Sequence, residues 1–338
     1  MIDGTGPLPA VRGALLGLVL GDAIGAAGGA PPPGALPATS AGQLACFTVD
    51  GIIRASQRWR RGVCHPPSVV WHAYTRWAAG QNLQGIRRWR EYGWPDGWLA
   101  GVTELRIPRG RAPATVAALQ GGTMGTADRP ATESLGAHAL TRGLPVGLTV
   151  WWESDPAPFG RQIAALTHAA AAADLAAAGT VLLARLAQGH PIEEAAGLAV
   201  SECGKHVERS AEPLLTEALT TAAAHPRDPE RLRRLAPDRR AESALTGGVY
   251  VAASCGDPAE VPDALAFGAG ASPDVAAVAG ALLGAAWGVD ALPADLVTRP
   301  ELGQVMDELA QDLVREFTHS PANDRQTIVA RQDRYPGW

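Results

Sequence analysis

Apolar residues recur at helical spacing along most of this chain, and no stretch alternates between apolar and polar residues long enough to predict a strand. The first strongly patterned segment, residues 11–28, carries a glycine at every fourth position: Gly13, Gly17, Gly21 and Gly25. This spacing places the glycines on one face of a helix, and such a face is costly unless another helix packs into it. We therefore predict a central core helix here.

The same spacing predicts further helices, which Gly- and Pro-rich stretches separate. The predicted ranges are 43–60, 66–79, 112–120, 158–223 with breaks near 189–191 and 203–204, 241–255, 258–268, 273–288 and 302–318. The Arg- and Pro-rich segment 225–241 is expected to be a solvated linker or a short helix. The sequence thus predicts an all-α fold, with one compact helical domain over 11–318, a flexible tail at 1–10 and a polar tail at 319–338.

Composition and charge narrow the class of partner. The formal net charge is −5, whereas nucleic-acid binders usually carry a basic face. One local basic cluster exists, and we expect it to be the solvated end of a helix: Arg54, Arg58, Arg60 and Arg61. Asp22 interrupts the apolar run near the N-terminus. We expect no stretch to reach the ~20 apolar residues that span a bilayer. We expect neither a nucleic-acid nor a membrane partner, and the oligomeric state stays open.

The four cysteines form no CxxC pair, so neither a zinc site nor a thioredoxin-like motif is indicated: Cys46, Cys64, Cys203 and Cys255. Cys46 and Cys255 lie in apolar helical stretches and are expected to be buried small side chains. A reducing, cytoplasmic location is the expectation.

Several fragments occur in the order found in one known family. They are GALLGLVLGDAIGA at 13–26, FTVDGIIRA at 47–55, SLGAHALTRGLPVGL at 134–148, Leu166-Thr167-His168, and AAVAGALLGAAWG at 276–288. Together they resemble the ADP-ribosylglycohydrolases over residues from about 13 to 318. The resemblance implies an orthogonal helical bundle, and cleavage of an N- or O-glycosidic bond of ADP-ribose with the help of two magnesium ions.

The resemblance also implies where the metal ligands would lie, and this sequence departs from it there. The family's Thr/Ser-Asp-Asp motif aligns with Thr39-Ser40-Ala41-Gly42, and its Asp-x-Asp-Thr/Ser motif aligns with Ala271-Ser272-Pro273-Asp274. The expected aspartates are missing, and no Asp or Glu lies between Asp22 and Asp50 or between Asp263 and Asp274. Because magnesium requires hard oxygen ligands, we expect no metal and no other cofactor.

Both altered motifs have the residues of ordinary helix starts. Ser40 and Gln43 have the spacing of a capping box. Ser272, Pro273 and Asp274 would supply an N-cap, a first helical residue and a first-turn carboxylate. Since helix N-termini attract anions, Ser40, Gly42, Ser272 and Asp274 are the candidate ligand-binding residues.

Asp22, His168 and Asp274 are the candidate catalytic residues, and each has a structural alternative: a bond to nearby backbone, a structural hydrogen bond and a helix cap, respectively. Three functions remain open. The chain is a pseudoenzyme that binds ADP-ribose, a nucleotide or an ADP-ribosylated protein; or a metal-independent glycosidic hydrolase; or a structural or partner-binding protein.

Overall fold

The structure is a computed structural model that describes residues 6–29, 31–62, 64–89, 91–149, 155–318 and 325–336. Fifteen α-helices lie in these residues, with short 3₁₀ turns and two isolated β-bridges but no strand. The helices are α1 Leu8–Ala26, α2 Ser40–Trp59, α3 Pro66–Gly80, α4 Pro113–Gly121, α5 His138–Thr141, α6 Ala157–Ala165, α7 Ala170–Ala187, α8 Ile192–Cys203, α9 Glu212–Ala224, α10 Pro229–Leu235, α11 Ala241–Ala253, α12 Val261–Ala269, α13 Pro273–Trp287, α14 Gly303–Thr318 and α15 Arg325–Arg334. The predicted all-α class is confirmed.

Helices α1 and α13 form the centre of the fold, and glycines allow their backbones to touch. A Cβ atom added to Gly17 would lie 2.0 Å from the carbonyl oxygen of Gly280, and one added to Gly280 would lie 2.1 Å from that of Gly17. The pair Gly13 and Gly284 is equally close. The predicted glycine face therefore packs against the matching face of α13, because only hydrogen leaves room for this approach.

The other helices surround this pair. Helix α2 packs on α3, α6 and α8 pack on α7, α11 packs on α13 and α9, and α14 packs on α1 and α2. Buried apolar side chains from Val11 to Tyr335 form one contiguous cluster. Both α1 and α7 are long and apolar enough to cross a membrane by length and composition, contrary to our expectation, although 78% of each is buried inside the fold.

The chain ends differ from the two predicted tails. Helix α1 already begins at Leu8, because Pro9 suits the first turn of a helix. Near the C-terminus, α15 packs against α14: the Tyr335 hydroxyl lies 2.5 Å from Asp312, and Arg334 bonds Glu308 at 2.7 Å. Tyr335 is only 3% exposed. The buried Tyr335 ring and these bonds hold α15 in place, although the polar composition of residues 319–338 predicted a tail.

The basic cluster was also misassigned at one position. Arg54 is 1% exposed rather than solvated, and its guanidinium pairs with Asp50 at 2.8 Å and Asp96 at 3.1 Å. It also donates to the carbonyl of Pro336 at 2.8 Å. A guanidinium is buried only with such partners. Asp50 is one turn away on the same helix, whereas Asp96 and Pro336 come from parts of the chain that local sequence does not connect.

Candidate functional site

A cavity of about 250 Å³ opens beside the start of α13, where the resemblance places the second metal motif. Residues 111–115 at the start of α4 form one part of its lining. The rest comes from five regions brought together by the fold: Ser134, Gly136 to His138, His168, Arg239 and Asp274. Of the candidate residues, His168 and Asp274 lie in this cavity. Asp22, Ser40, Gly42 and Ser272 do not line it.

The start of α4 forms one wall. Ala112 occupies the N-cap position and has no side chain that could bond the first-turn amides. Arg111 precedes it and is exposed at the cavity. An uncapped helix start beside an arginine makes this wall electropositive.

A short backbone pairing holds the opposite wall. The Ala137 amide donates to the carbonyl of Arg239 at 3.0 Å, and the Ala241 amide donates to that of Leu135 at 2.9 Å. Gly136 and Arg240 form an antiparallel bridge between them. This pairing fixes the backbone of Arg239 against the segment that contributes Ser134 and His138.

Arg239 and Asp274 form an ion pair in the cavity lining. The Nε and Nη2 atoms of Arg239 donate to Oδ2 of Asp274 at 3.0 and 2.8 Å. Asp274 is 3% exposed. The predicted helix start is confirmed here, since the Ser272 hydroxyl accepts from the Val275 amide at 3.1 Å and Pro273 is the first helical residue.

Two imidazoles line the interior of the cavity, and both favour the neutral form. Burial lowers the pKa of His168 well below its ordinary value, and the charge of Arg142 lowers it further. Burial also lowers the pKa of His138, although the nearby Asp274 carboxylate opposes this shift. At neutral pH both rings are therefore uncharged and can act as hydrogen-bond donors or acceptors.

A chain of hydrogen bonds sets the tautomer of His168. Arg142 donates to the Thr167 hydroxyl at 2.5 Å, and that hydroxyl lies 2.8 Å from Nδ1 of His168. The three groups are satisfied together when the hydroxyl donates its hydrogen to Nδ1, and the single N–H of the neutral ring is then on Nε2. His168 is 2% exposed, and Gly136, which also lines the cavity, lies beside Nε2. The ring thus presents an N–H donor to the cavity.

Asp22 has a structural partner instead of a place in the cavity. Its two carboxylate oxygens accept from the amide of Thr39 at 2.6 Å and from its hydroxyl at 2.7 Å. Burial raises the pKa of Asp22 to about 7, and the two bonds from Thr39 oppose that shift. A Cβ on Gly42 would lie 2.7 Å from Asp22 Oδ2, so Gly42 is required as a neighbour of this carboxylate.

The predicted capping box at the start of α2 is wrong by one residue. Thr39 is the N-cap, and its hydroxyl accepts from the Ala41 amide at 3.1 Å, whereas Ser40 is already helical. Gln43 does not bond back to the cap. Its side-chain amide donates to the carbonyls of Glu104 and Ile107 at 2.9 Å each. Its Oε1 atom, which a capping box would use as the acceptor, accepts from Trp77 at 3.1 Å and Gln81 at 3.2 Å instead. Ligand contact at Ser40, Gly42 and Ser272 stays a prediction.

A family model described as ADP-ribosylglycohydrolase matches residues 5–323. The chain belongs to the ADP-ribosylglycohydrolase family. A solved structure titled "ADP-ribosylglycohydrolase-related protein complex" is similar in fold, with a TM-score of 0.58 and 20% identity over 92% of this chain and 99% of that chain. No curated protein matches the sequence. The structural likeness establishes the ADP-ribosylglycohydrolase fold.

The side chains in this family member do not fit two magnesium ions. Both carboxylate oxygens of Asp22 accept hydrogen bonds from Thr39, and Oδ2 of Asp274 accepts two hydrogen bonds from Arg239. The aligned aspartate positions carry Ser40, Ala41 and other residues without carboxylates. Within the described ranges, no three His, Cys, Asp or Glu side chains come together as a metal-binding group. Two divalent ions need several oxygen ligands, and these side chains do not supply them.

Sequence reasoning missed Arg239, Arg111, Ser134 and His138 as residues of the site. Arg239 was assigned to a solvated linker, because its neighbours are charged and proline-rich. Its partner Asp274 follows 35 residues later, so no local spacing connects them. The available signal was the segment 134–148, which contains Ser134 and His138 and resembles the family, although the resemblance did not assign either residue to a ligand site.

Proposed function

We propose that this ADP-ribosylglycohydrolase-fold protein is a pseudoenzyme: a binding or regulatory module that takes ADP-ribose, a similar nucleotide or an ADP-ribosylated protein without catalytic metals. The observation that carries the proposal is the cavity beside α13, which combines two arginines, an uncapped helix start and an imidazole N–H donor. Family membership supplies the class of ligand.

The charges in the cavity favour an anionic ligand. Arg111 and Arg239 each contribute one positive charge, and Asp274 contributes one negative charge that Arg239 already pairs. The start of α4 adds partial positive charge. A diphosphate would find a net positive cavity with donors on both walls, and hydrogen bonds to such a charged group are typically worth about 1.5–3 kcal/mol each.

The same cavity offers little for hydrolysis. Glycosidases ordinarily use a pair of carboxyl groups, one as acid and one as base or nucleophile. Among the described residues that line this cavity, Asp274 is the single carboxylate, and its Oδ2 accepts both bonds from Arg239. Asp22 bonds Thr39 away from the cavity. These contacts favour binding over the metal-independent hydrolase among the alternatives.

We also propose that the protein works in the cytoplasm without a resident cofactor. Burial raises the pKa of the Cys203 thiol to about 12 and raises that of Cys46 further, which keeps both in the unreactive thiol form. No disulfide links the four described cysteines.

The proposal is tested by calorimetric titration of the protein with ADP-ribose, first in EDTA and then in excess magnesium. We expect micromolar binding in EDTA and the same dissociation constant in magnesium, with no release of products when the mixture is later resolved by chromatography. Binding that requires magnesium contradicts the metal-free account. Absence of binding in both buffers contradicts ADP-ribose as the ligand class. Arg111→Gln is the matched site variant, and it should weaken binding because it removes one of the two cavity arginines.

A further inference from the structure

Arg239, one of the two arginines of this cavity, lies where the family resemblance places metal ions, and its contacts show this. Its partner Asp274, in the first turn of α13, belongs to the segment 271–274 that aligns with the second metal motif. The charge of Arg239 also acts on Asp22, since it opposes the rise that burial causes in the pKa of that carboxyl group. One guanidinium therefore acts on both carboxylates that remain near the two former motifs.

The protein itself uses two of the five N–H donors of the Arg239 guanidinium, and the other three are available. A guanidinium has five N–H donors, and the contacts with Asp274 use Nε and one hydrogen of Nη2. The side chain remains 63% exposed and lines the cavity. In the described part of the chain, no other acceptor is bonded to this side chain. The remaining N–H groups can therefore meet a ligand.

The group is also held in place before a ligand arrives. The carbonyl of Arg239 accepts from Ala137, and Asp238 bonds the next amide, that of Arg240, at 2.9 Å. Asp238 in turn accepts from Ser243 at 2.7 Å at the start of α11. With its backbone paired and one guanidinium edge fixed on buried Asp274, the arginine loses little freedom on binding.

We propose that Arg239, anchored on Asp274, is the resident cation of the cavity and binds the phosphate oxygens of the ligand directly. The inference rests on the proposed function and adds its ligand chemistry: a phosphate or diphosphate ester, taken by the planar fork of an arginine. A guanidinium offers two parallel N–H donors to two phosphate oxygens. Unlike a divalent metal, it does not bind a water molecule and acidify it, so the same replacement that preserves anion binding removes metal-assisted hydrolysis.

The test compares Arg239→Gln with Arg240→Gln, using inorganic pyrophosphate as the probe in EDTA. Arg240 is the matched control, because its side chain is also 63% exposed, its partner is Asp238 on the surface, and it does not line the cavity. We expect Arg239→Gln to weaken pyrophosphate binding by about ten- to a hundredfold, the loss of one charge-assisted contact. Arg240→Gln should change it less than about twofold, the scale of a contact outside the site.

Arg239→Lys covers the case in which the glutamine variant fails to fold, since it keeps a positive charge beside Asp274. It should bind pyrophosphate more weakly than the wild type, because lysine cannot form the fork, and circular dichroism should confirm that it is folded. Equal binding by the wild type and both Arg239 variants overturns the inference, as does failure of the wild type to bind pyrophosphate. The proposed function fails separately, if the wild type does not bind ADP-ribose.

Discussion

Replacing Gly17 by alanine tests the contact between α1 and α13 at the centre of the fold. The added Cβ would lie 2.0 Å from the Gly280 carbonyl oxygen, whereas ordinary contact begins near 3.4 Å, so the helices would separate by about 1.4 Å. The oxygen and carbon atoms that the added Cβ would meet belong to the backbone of α13, so no side chain can rotate away. Overpacking of a core typically costs about 1–3 kcal/mol, and this site belongs at the upper end because the obstacle is rigid.

The opposing contribution is the helix propensity of alanine, which exceeds that of glycine by about 1 kcal/mol. The expected net effect of Gly17→Ala is a loss of about 1–2 kcal/mol in the free energy of unfolding. Gly197→Ala isolates the propensity term, because Gly197 lies on exposed helix α8 and nothing lies within 4 Å of a Cβ there. In that control variant the free energy of unfolding should increase by up to about 1 kcal/mol.

Urea unfolding followed by circular dichroism measures both variants against the wild type. The two changes in the free energy of unfolding should have opposite signs: Gly17→Ala should be less stable than the wild type, and Gly197→Ala should be more stable. If Gly17→Ala matches the control in stability, then the two helices do not approach as closely as described, and the explanation of the glycine spacing is refuted.

Three further predictions concern buried polar groups. Burial raises the Asp22 pKa from 3.8 to about 7, so the stability it contributes declines as pH rises from about 4 to about 7; Asp22→Asn should remove that decline when urea unfolding at pH 5 and pH 8 is compared with the wild type. Thr167→Val leaves the buried guanidinium of Arg142 and the ring of His168 without a shared partner, and should cost about 1–3 kcal/mol in the same assay. Arg54→Met strands the buried carboxylate of Asp50, leaves Asp96 paired with Arg76 and breaks the contact with Pro336, so we expect a loss of about 3–5 kcal/mol and faster proteolysis near the C-terminus; unchanged proteolysis contradicts a packed C-terminal segment.

Much of the fold could be predicted from sequence because its determinants are local. The four-residue glycine spacing in α1 and α13 identifies their contact faces, and Ser272-Pro273 identifies a helix start. The family resemblance added the order of the helices. The predicted start of α2 was wrong by one residue, because Thr39 rather than Ser40 is the N-cap.

The site was less predictable because its residues are distant in sequence. Arg239 meets Asp274 only after the chain has formed α11 and α12, and it meets Ala137 across about a hundred residues. A linker arginine and a cavity arginine have the same local sequence pattern. The missing aspartates indicate that the two metal-binding motifs of the resemblance are altered in this sequence, and the structure places Arg239 in contact with Asp274 of the second one.

The most direct test of the central claim, that this cavity binds its ligand without metal ions, uses manganese as a paramagnetic substitute for magnesium. The electron paramagnetic resonance signal of free Mn²⁺ is recorded with ADP-ribose alone and then with the protein saturated by ADP-ribose. The account predicts the same free signal in both samples, because the side chains at the former motifs supply too few oxygen ligands. Loss of the signal in proportion to added protein, at micromolar manganese, would contradict it and would return the chain to the metal-dependent hydrolases of its family.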